Sequence, residues 1–252
     1  MEMRVNGPRE IDYSKSRVFM PKRVRDVFSQ NWESGANLSF FLALLCLMVL
    51  VLPSMGFAKS DENLYSDIAA SVTLICGAAI AWSNRLLFWA TSVVVACSLV
   101  LKWAPRLFGG HAFGTWPDLL ELGAIAMIIF ALLSQIFAVG PVTAMRIQGA
   151  IAAYVGFGFL WAHAFAITAQ NSPGSFSSSQ GAGPSTASDW FYFSFVTLTT
   201  VGYGDIVPRS PSARALAIAE VLTGQLYLAV LLAHLVSMRV SGEPGGGNSK
   251  PE

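Results

Sequence analysis

The stretch TLTTVGYGDIVP, residues 197–208, decides how the rest of the chain is read. It sets three threonines, two glycines and a carboxylate between two long apolar runs, one ending near Thr168 and the other beginning near Ala213. Non-helical backbone at membrane depth is tolerated only where it is buried in protein or lines a water-filled path. If the flanking runs cross a bilayer, these twelve residues line a path.

Composition supports a membrane setting. Of 252 residues, 54% are hydrophobic and 12% charged, against roughly 25% charged in a soluble domain. A net charge of +1 leaves no basic surface to neutralise phosphates, which argues against nucleic acid as a partner. Cys46, Cys76 and Cys97 all fall in apolar runs without metal-ligand spacing, and read as small hydrophobes. A bilayer core needs about 20 mostly apolar residues per helix. Six runs qualify as candidates: 37–51, 67–82, 86–103, 119–139, 144–168 and 213–238. The second and third are separated only by Ser83, Asn84 and Arg85, which predicts an antiparallel hairpin. The first run is too long for a cleavable signal core of about 7–15 residues, so it is expected to stay in the mature protein.

Eleven of the sixteen lysines and arginines fall on one side of this arrangement. That bias predicts a multi-pass protein of the cell (inner) membrane with both termini cytoplasmic. The chain divides into a basic N-terminal segment (1–36), a four-helix block (37–140), a C-terminal block (141–240) and a glycine-rich polar tail (241–252) expected to be disordered. Within the first segment, residues 14–32 mix basic and apolar side chains. Such a segment suits an anionic lipid surface, and equally a charged anchor that sets topology.

Between the fifth and sixth runs, residues 171–188 are rich in serine and glycine and predict an exposed loop. DWFYFSFVTLTT, residues 189–200, follows with an acidic start. It predicts a helix too short to cross the bilayer, with the negative end of its dipole aimed inward. In the segment after it, alternating glycines open backbone conformations closed to other residues, so that successive carbonyls can face one axis. Rings of such carbonyls replace the hydration shell of a cation.

TTVGYGD, residues 199–205, resembles the selectivity filter of the potassium channels, with appropriate flanks on both sides. With GQLYLAVLLAHLV, residues 224–236, the chain resembles the bacterial six-transmembrane potassium channels of the pore-loop superfamily that lack voltage-sensor arginines. The resemblance implies an all-α membrane protein: six transmembrane helices, with a re-entrant pore helix and filter between helices five and six. It implies K+ as the permeant ion, held by the carbonyls of Thr200, Val201, Gly202 and Tyr203 and by the Thr200 hydroxyl. Thr199, Gly204, Asp205 and Tyr192 would support the filter, Tyr192 as hydrogen-bond partner of Asp205. Phe193 stands where many members carry tryptophan, which removes one donor to the Tyr203 hydroxyl. One TVGYG per chain implies a homotetramer in the lipid bilayer. The expected activity is passive, potassium-selective conduction and not enzymatic catalysis. A weakly selective cation channel and a non-conducting membrane subunit or scaffold are the alternatives.

In the family's inner helix a hinge glycine is common, and Gly224 takes that place; close helix packing through a small residue explains it equally well. Glu220 is an ionisable group inside a span, which ordinarily faces protein or water. A contact with His163 is one expectation for it, and a pore-helix hydroxyl such as that of Thr197 the other. His234, near the cytoplasmic end, is placed for proton-dependent gating or for simple snorkelling. His111 has no evident metal partner. The fourth run contains no lysine or arginine, so intrinsic voltage gating is not expected. Asp67, Lys102, Asp118 and Glu121 cluster near the outer interface, where pairing would fix helix register. Gating is expected from the membrane part, from lipid or from an unidentified regulatory partner.

Overall fold

The computed structural model describes residues 36–51, 59–80, 85–108, 114–138, 143–179, 181 and 183–241. The expectations for the basic N-terminal segment, the residues 83–84 of the hairpin joint, His111 and the tail after Ser241 lie outside the described residues.

Among the described residues seven helices and two short strands follow in the order α1 (Ala36–Val51), α2 (Lys59–Ile80), α3 (Arg85–Phe108), α4 (Trp116–Ile136), α5 (Ala144–Asn171), β1 (Phe176–Ser178), α6 (Ala187–Leu198), β2 (Ile206–Pro208) and α7 (Pro211–Ser241). Four are long and apolar enough to cross a membrane, through Arg85–Pro105, Trp116–Ile136, Ala144–Asn171 and Pro211–Ser237. The described part of α1 is 16 residues. α2 begins eight residues before the expected start, with Lys59, Asp61 and Glu62 in its opening turn, and its apolar stretch is Ala70–Ala79. The helix starts have local causes. Pro117 sits where a helix lacks an internal partner for its N–H, and the Thr143 hydroxyl accepts from Arg146 N at 3.4 Å.

α5 is the central helix and packs against α1, α4, α6 and α7. Its small residues Ala150, Ala152, Ala153 and Gly156 are buried, and Gly156 lets the branched side chain of Ile129 of α4 come close, as Gly77 of α2 does for Ile128. The core is therefore a seam of small against large residues, the arrangement that dispersion favours when lipid competes for every apolar surface.

A charged network ties four helices together. Lys102 Nζ of α3 lies 3.0 Å from Asp67 Oδ1 of α2 and 2.7 Å from Glu121 Oε2 of α4. His163 Nε2 of α5 lies 3.2 Å from Glu121 Oε1, while its Nδ1 donates to the Phe159 carbonyl at 2.8 Å. Both ring nitrogens face acceptors, which fits the imidazolium form. Asp118 accepts a hydrogen bond from Gln170 at the end of α5, and Trp103 Nε1 donates to Ser71 Oγ at 3.1 Å. The acidic and basic residues pair as the sequence predicts, with His163 as an additional partner. Glu121 is 1% exposed, so its charge depends on these two cations. Lys102→Met removes one of them. We expect it to cost about 3 kcal/mol of stability, read as a lower unfolding midpoint in detergent, with Lys102→Arg retaining most of the wild-type value.

Candidate functional site

α6 is a twelve-residue helix with a reciprocal cap. The Thr186 hydroxyl accepts from Asp189 N at 3.2 Å, and Asp189 Oδ2 accepts from Thr186 N at 3.0 Å and Ser185 N at 2.9 Å. These bonds satisfy donors that a helix start leaves open. Trp190 and Phe193 are buried. The Phe193 ring lies edge-on to Phe165 of α5 at 4.9 Å and to Phe176 at 5.6 Å, and Phe176 meets Trp190 at 5.0 Å.

Phe176 corrects one expectation. The loop 171–188 is not wholly exposed, because this one large apolar side chain in a serine-rich and glycine-rich run is drawn into the aromatic cluster. Burial of an aromatic ring there fixes β1, which pairs antiparallel with β2 in the register Phe176 to Pro208, Ser177 to Val207 and Ser178 to Ile206. Ser179 N donates to Asp205 O and Arg209 N to Ser175 O, each at 2.7 Å. Among the described residues these strands are the one departure from an all-helical fold.

Between α6 and β2 the chain runs as irregular backbone. Thr199 N donates to Phe195 O at 3.1 Å and Thr200 N to Thr197 O at 2.9 Å; the Val196 carbonyl accepts from both Val201 N, at 3.0 Å, and Gly202 N, at 3.2 Å. Thr200, Gly202 and Gly204 have φ of 62°, 56° and 76°, whereas Val201 and Tyr203 between them stay on the usual side. Backbone that alternates hand at successive residues turns successive carbonyls to one side, and glycine alone adopts the left-handed form without penalty. Thr200, branched at Cβ, is strained there by roughly 1–3 kcal/mol, so the surrounding hydrogen bonds must hold it. This segment is exposed along one face of the single chain, with Val201 at 52% and Tyr203 at 72%.

Behind it, Tyr192 donates to the Asp205 carboxylate, and the rings of Tyr192 and Tyr203 stack at 6.5 Å with 3° between planes. Partial burial, then the bond and charge of Asp205, push the Tyr192 hydroxyl up to about 12, so it serves as the donor. Asp205 Oδ1 also accepts from Ile206 N at 3.0 Å. Phe193 is turned into the aromatic cluster.

Glu220 of α7 is fully buried but does not meet His163, which is engaged by Glu121 and the Phe159 carbonyl. Its Oε1 lies 2.5 Å from Ser194 Oγ of α6, and Ser194 Oγ lies 2.8 Å from the Gly158 carbonyl of α5. The α6 hydroxyl that meets Glu220 is thus that of Ser194 and not that of Thr197. Ser194 is the single small polar residue in the aromatic run DWFYFSFV, and that contrast was the signal in the sequence for it. His234 stacks obliquely on Phe137 at 5.0 Å. α7 continues unbroken through Gly224. A Cβ on Gly224 would stand 2.6 Å from the Leu198 carbonyl, so close approach to the end of α6 is what demands glycine there. The Tyr227 hydroxyl donates to Ala150 O at 2.8 Å and ties α7 to α5.

Sequence comparison finds likeness over part of the chain. Residues 149–240 match the Ion channel family model. That channel family comprises transporters and not enzymes. Two pore potassium channel c of Oryza sativa subsp. japonica is 47% identical over 66 residues, 26% of this chain and 14% of that protein. The inward rectifier potassium channel Kirbac3.1 of Paramagnetospirillum magnetotacticum is 39% identical over 67 residues, 27% and 22% of the two chains. The voltage-gated potassium channel Kch of Escherichia coli is 42% identical over 52 residues, 21% and 12%. The chain thus spans about a fifth or less of the length of these relatives. No solved structure matches it. The channel-family match begins within α5 and ends within α7, so it contains the whole irregular segment and both helices that brace it.

Gly224 separates two roles by experiment. Gly224→Ala gains about 1 kcal/mol of helix propensity and would stabilise a helix that merely bends there. The contact with the Leu198 carbonyl makes it destabilising instead, by about 1–3 kcal/mol for an overpacked site. A lowered melting temperature of the purified protein is the expected reading.

Proposed function

We propose that the chain is one subunit of a homotetrameric potassium channel of a bacterial inner membrane, with six spans and both termini cytoplasmic. Residues 37–140 form a four-helix block without sensor charges, and residues 141–240 form the pore. K+ passes through a filter made by the carbonyls of Thr200, Val201, Gly202 and Tyr203 and the Thr200 hydroxyl. Thr199, Gly204, Asp205 and Tyr192 hold that filter in shape, and α6 is the pore helix. The observation that carries this reading is the alternation of left-handed Thr200, Gly202 and Gly204 with Val201 and Tyr203, in a segment hydrogen-bonded to the end of α6.

Two further facts favour it. The carbonyl end of α6 places the negative pole of a helix dipole beside the filter, which favours a cation there. One subunit also leaves Tyr203, Leu226 and Leu232 largely uncovered, and irregular backbone cannot face lipid; four copies around an axis cover it. Steep voltage dependence is not part of the proposal, because α4 has no lysine or arginine and a sensor without charges gains nothing from the field. Gating then falls to the inner helices, to lipid or to a regulatory partner.

The test is ion flux into liposomes containing the purified protein. Potassium flux that sodium does not replace, lost in Gly202→Asp, with cross-linking that stops at four subunits, is the expected result. Equal sodium and potassium flux would point to a weakly selective cation channel. Tetramers that pass neither ion under any applied stimulus would point to a non-conducting subunit.

A further inference from the structure

Ser194 stands between two oxygen atoms and has one proton to give. Its Oγ is 2.8 Å from the Gly158 carbonyl and 2.5 Å from Glu220 Oε1. A carbonyl only accepts, and so does an ionised carboxylate. With Glu220 ionised, Ser194 can serve one neighbour, and the other short contact becomes two oxygen atoms in apposition without a hydrogen. With a proton on Glu220 Oε1 both contacts are ordinary O–H···O bonds, each with a length in the range of such bonds.

The surroundings agree. Glu220 is 0% exposed, and its second oxygen, Oε2, has no hydrogen-bond partner. An ionised carboxylate buried in this way requires a cation, yet among the described residues no lysine, arginine or histidine contributes to its environment. The titratable group that feels it from α5 is Tyr154, which supplies no positive charge. Among the described residues its partner from α6 is Ser194. Glu121, the other buried acid, is the opposite case, with Lys102 and His163 at either oxygen.

We propose that Glu220 carries its proton at neutral pH and is a positioning residue: it donates to Ser194, and Ser194 donates to the Gly158 carbonyl, so that one directed chain of hydrogen bonds joins α7, α6 and α5 behind the filter. Ser194 is two residues before Val196, whose carbonyl holds the amides of Val201 and Gly202. The chain of bonds therefore fixes the depth and rotation of α6, and through Val196 the shape of the filter. Each bond in such a series polarises the next. Removing the proton at alkaline pH reverses the sense of the first bond, forces Ser194 to abandon Gly158, and leaves a charge with no cation beside it.

This inference rests on α6 being a pore helix for its consequence to conduction, but not for the proton itself, and the experiment keeps the two apart. Infrared spectra of the full chain in liposomes at neutral pH are expected to show the carbonyl band of a protonated carboxyl. That band is lost in Glu220→Gln and moves to higher frequency in Ser194→Ala, where the acid has lost its acceptor. Glu220→Gln, whose amide N–H donates in the same direction, is expected to retain potassium flux and melting temperature, and Glu220→Ala to lose both. Raising the pH is expected to abolish the band and the flux of the wild type together and to spare flux in Glu220→Gln, a difference that a merely structural role would not produce. Absence of the band in the wild type, or its survival unchanged in Glu220→Gln, overturns the proposal. So does equal alkaline loss of flux in both proteins. Should Glu220→Gln fail to assemble, an unmoved band in Ser194→Ala overturns it as well. A band that behaves as expected in a protein without flux leaves the proton assignment standing and removes the channel reading.

Discussion

The carbonyl of Val196 accepts from two amides, Val201 N and Gly202 N, and the rest of the molecule is arranged around keeping that carbonyl in place. A backbone that turns its own carbonyls outward cannot use them to satisfy its N–H groups, and unpaired N–H groups at membrane depth are costly. The donors have to be taken up from behind by the end of α6. That end must then be immobile, and three kinds of contact make it so. Phe193 and Trp190 lock α6 into an aromatic cluster, Ser194 links it to α5 and α7, and Gly224 lets α7 lie directly against Leu198.

The same molecule handles its two buried acids in opposite ways. Glu121 is compensated, with Lys102 and His163 on its two oxygens and Asp67 balancing the second positive charge. The four groups sum to neutrality and hold α2, α3, α4 and α5 in register. Glu220 has a hydroxyl in place of a cation. Desolvation bears on the division: an ion pair is tolerable where Asp67 and Lys102 retain some contact with the surface, whereas Glu220 is 0% exposed.

Much of this was legible in the sequence because glycine and hydropathy carry local information. The irregular segment, the short helix before it and the long helices could be read from residue type and spacing, and the Tyr192–Asp205 bond from the family resemblance. Pairing across the fold could not. His163 and Glu220 are at comparable depth in sequence, yet each is claimed by a nearer partner, and nothing in a one-dimensional pattern ranks Glu121 against Glu220 as a neighbour of His163. Phe176 was overlooked because composition marks 171–188 as loop, while a single aromatic ring outweighs the serines around it once a cavity for it exists between Phe165, Trp190 and Phe193. Gly224 was ambiguous for a related reason: a hinge and a close approach both ask for a missing Cβ, and only the position of the Leu198 carbonyl tells them apart.

The ribbon of β1 and β2 gives the chain a closed loop, since the residues that lead into α6 and those that leave the irregular segment end side by side. Tension on such a loop is borne across the ribbon and passes to the top of α5 through Ser175, Arg209 and Phe176, without running through α7. α7 joins only beyond this clasp. Its first turn is seated through Ala213, and its later residues Leu226, Val230 and Leu232 are largely uncovered by their own chain. The load path at the rim is therefore separate from the contacts that α7 makes with α6 and α5 through Glu220, Gly224 and Tyr227.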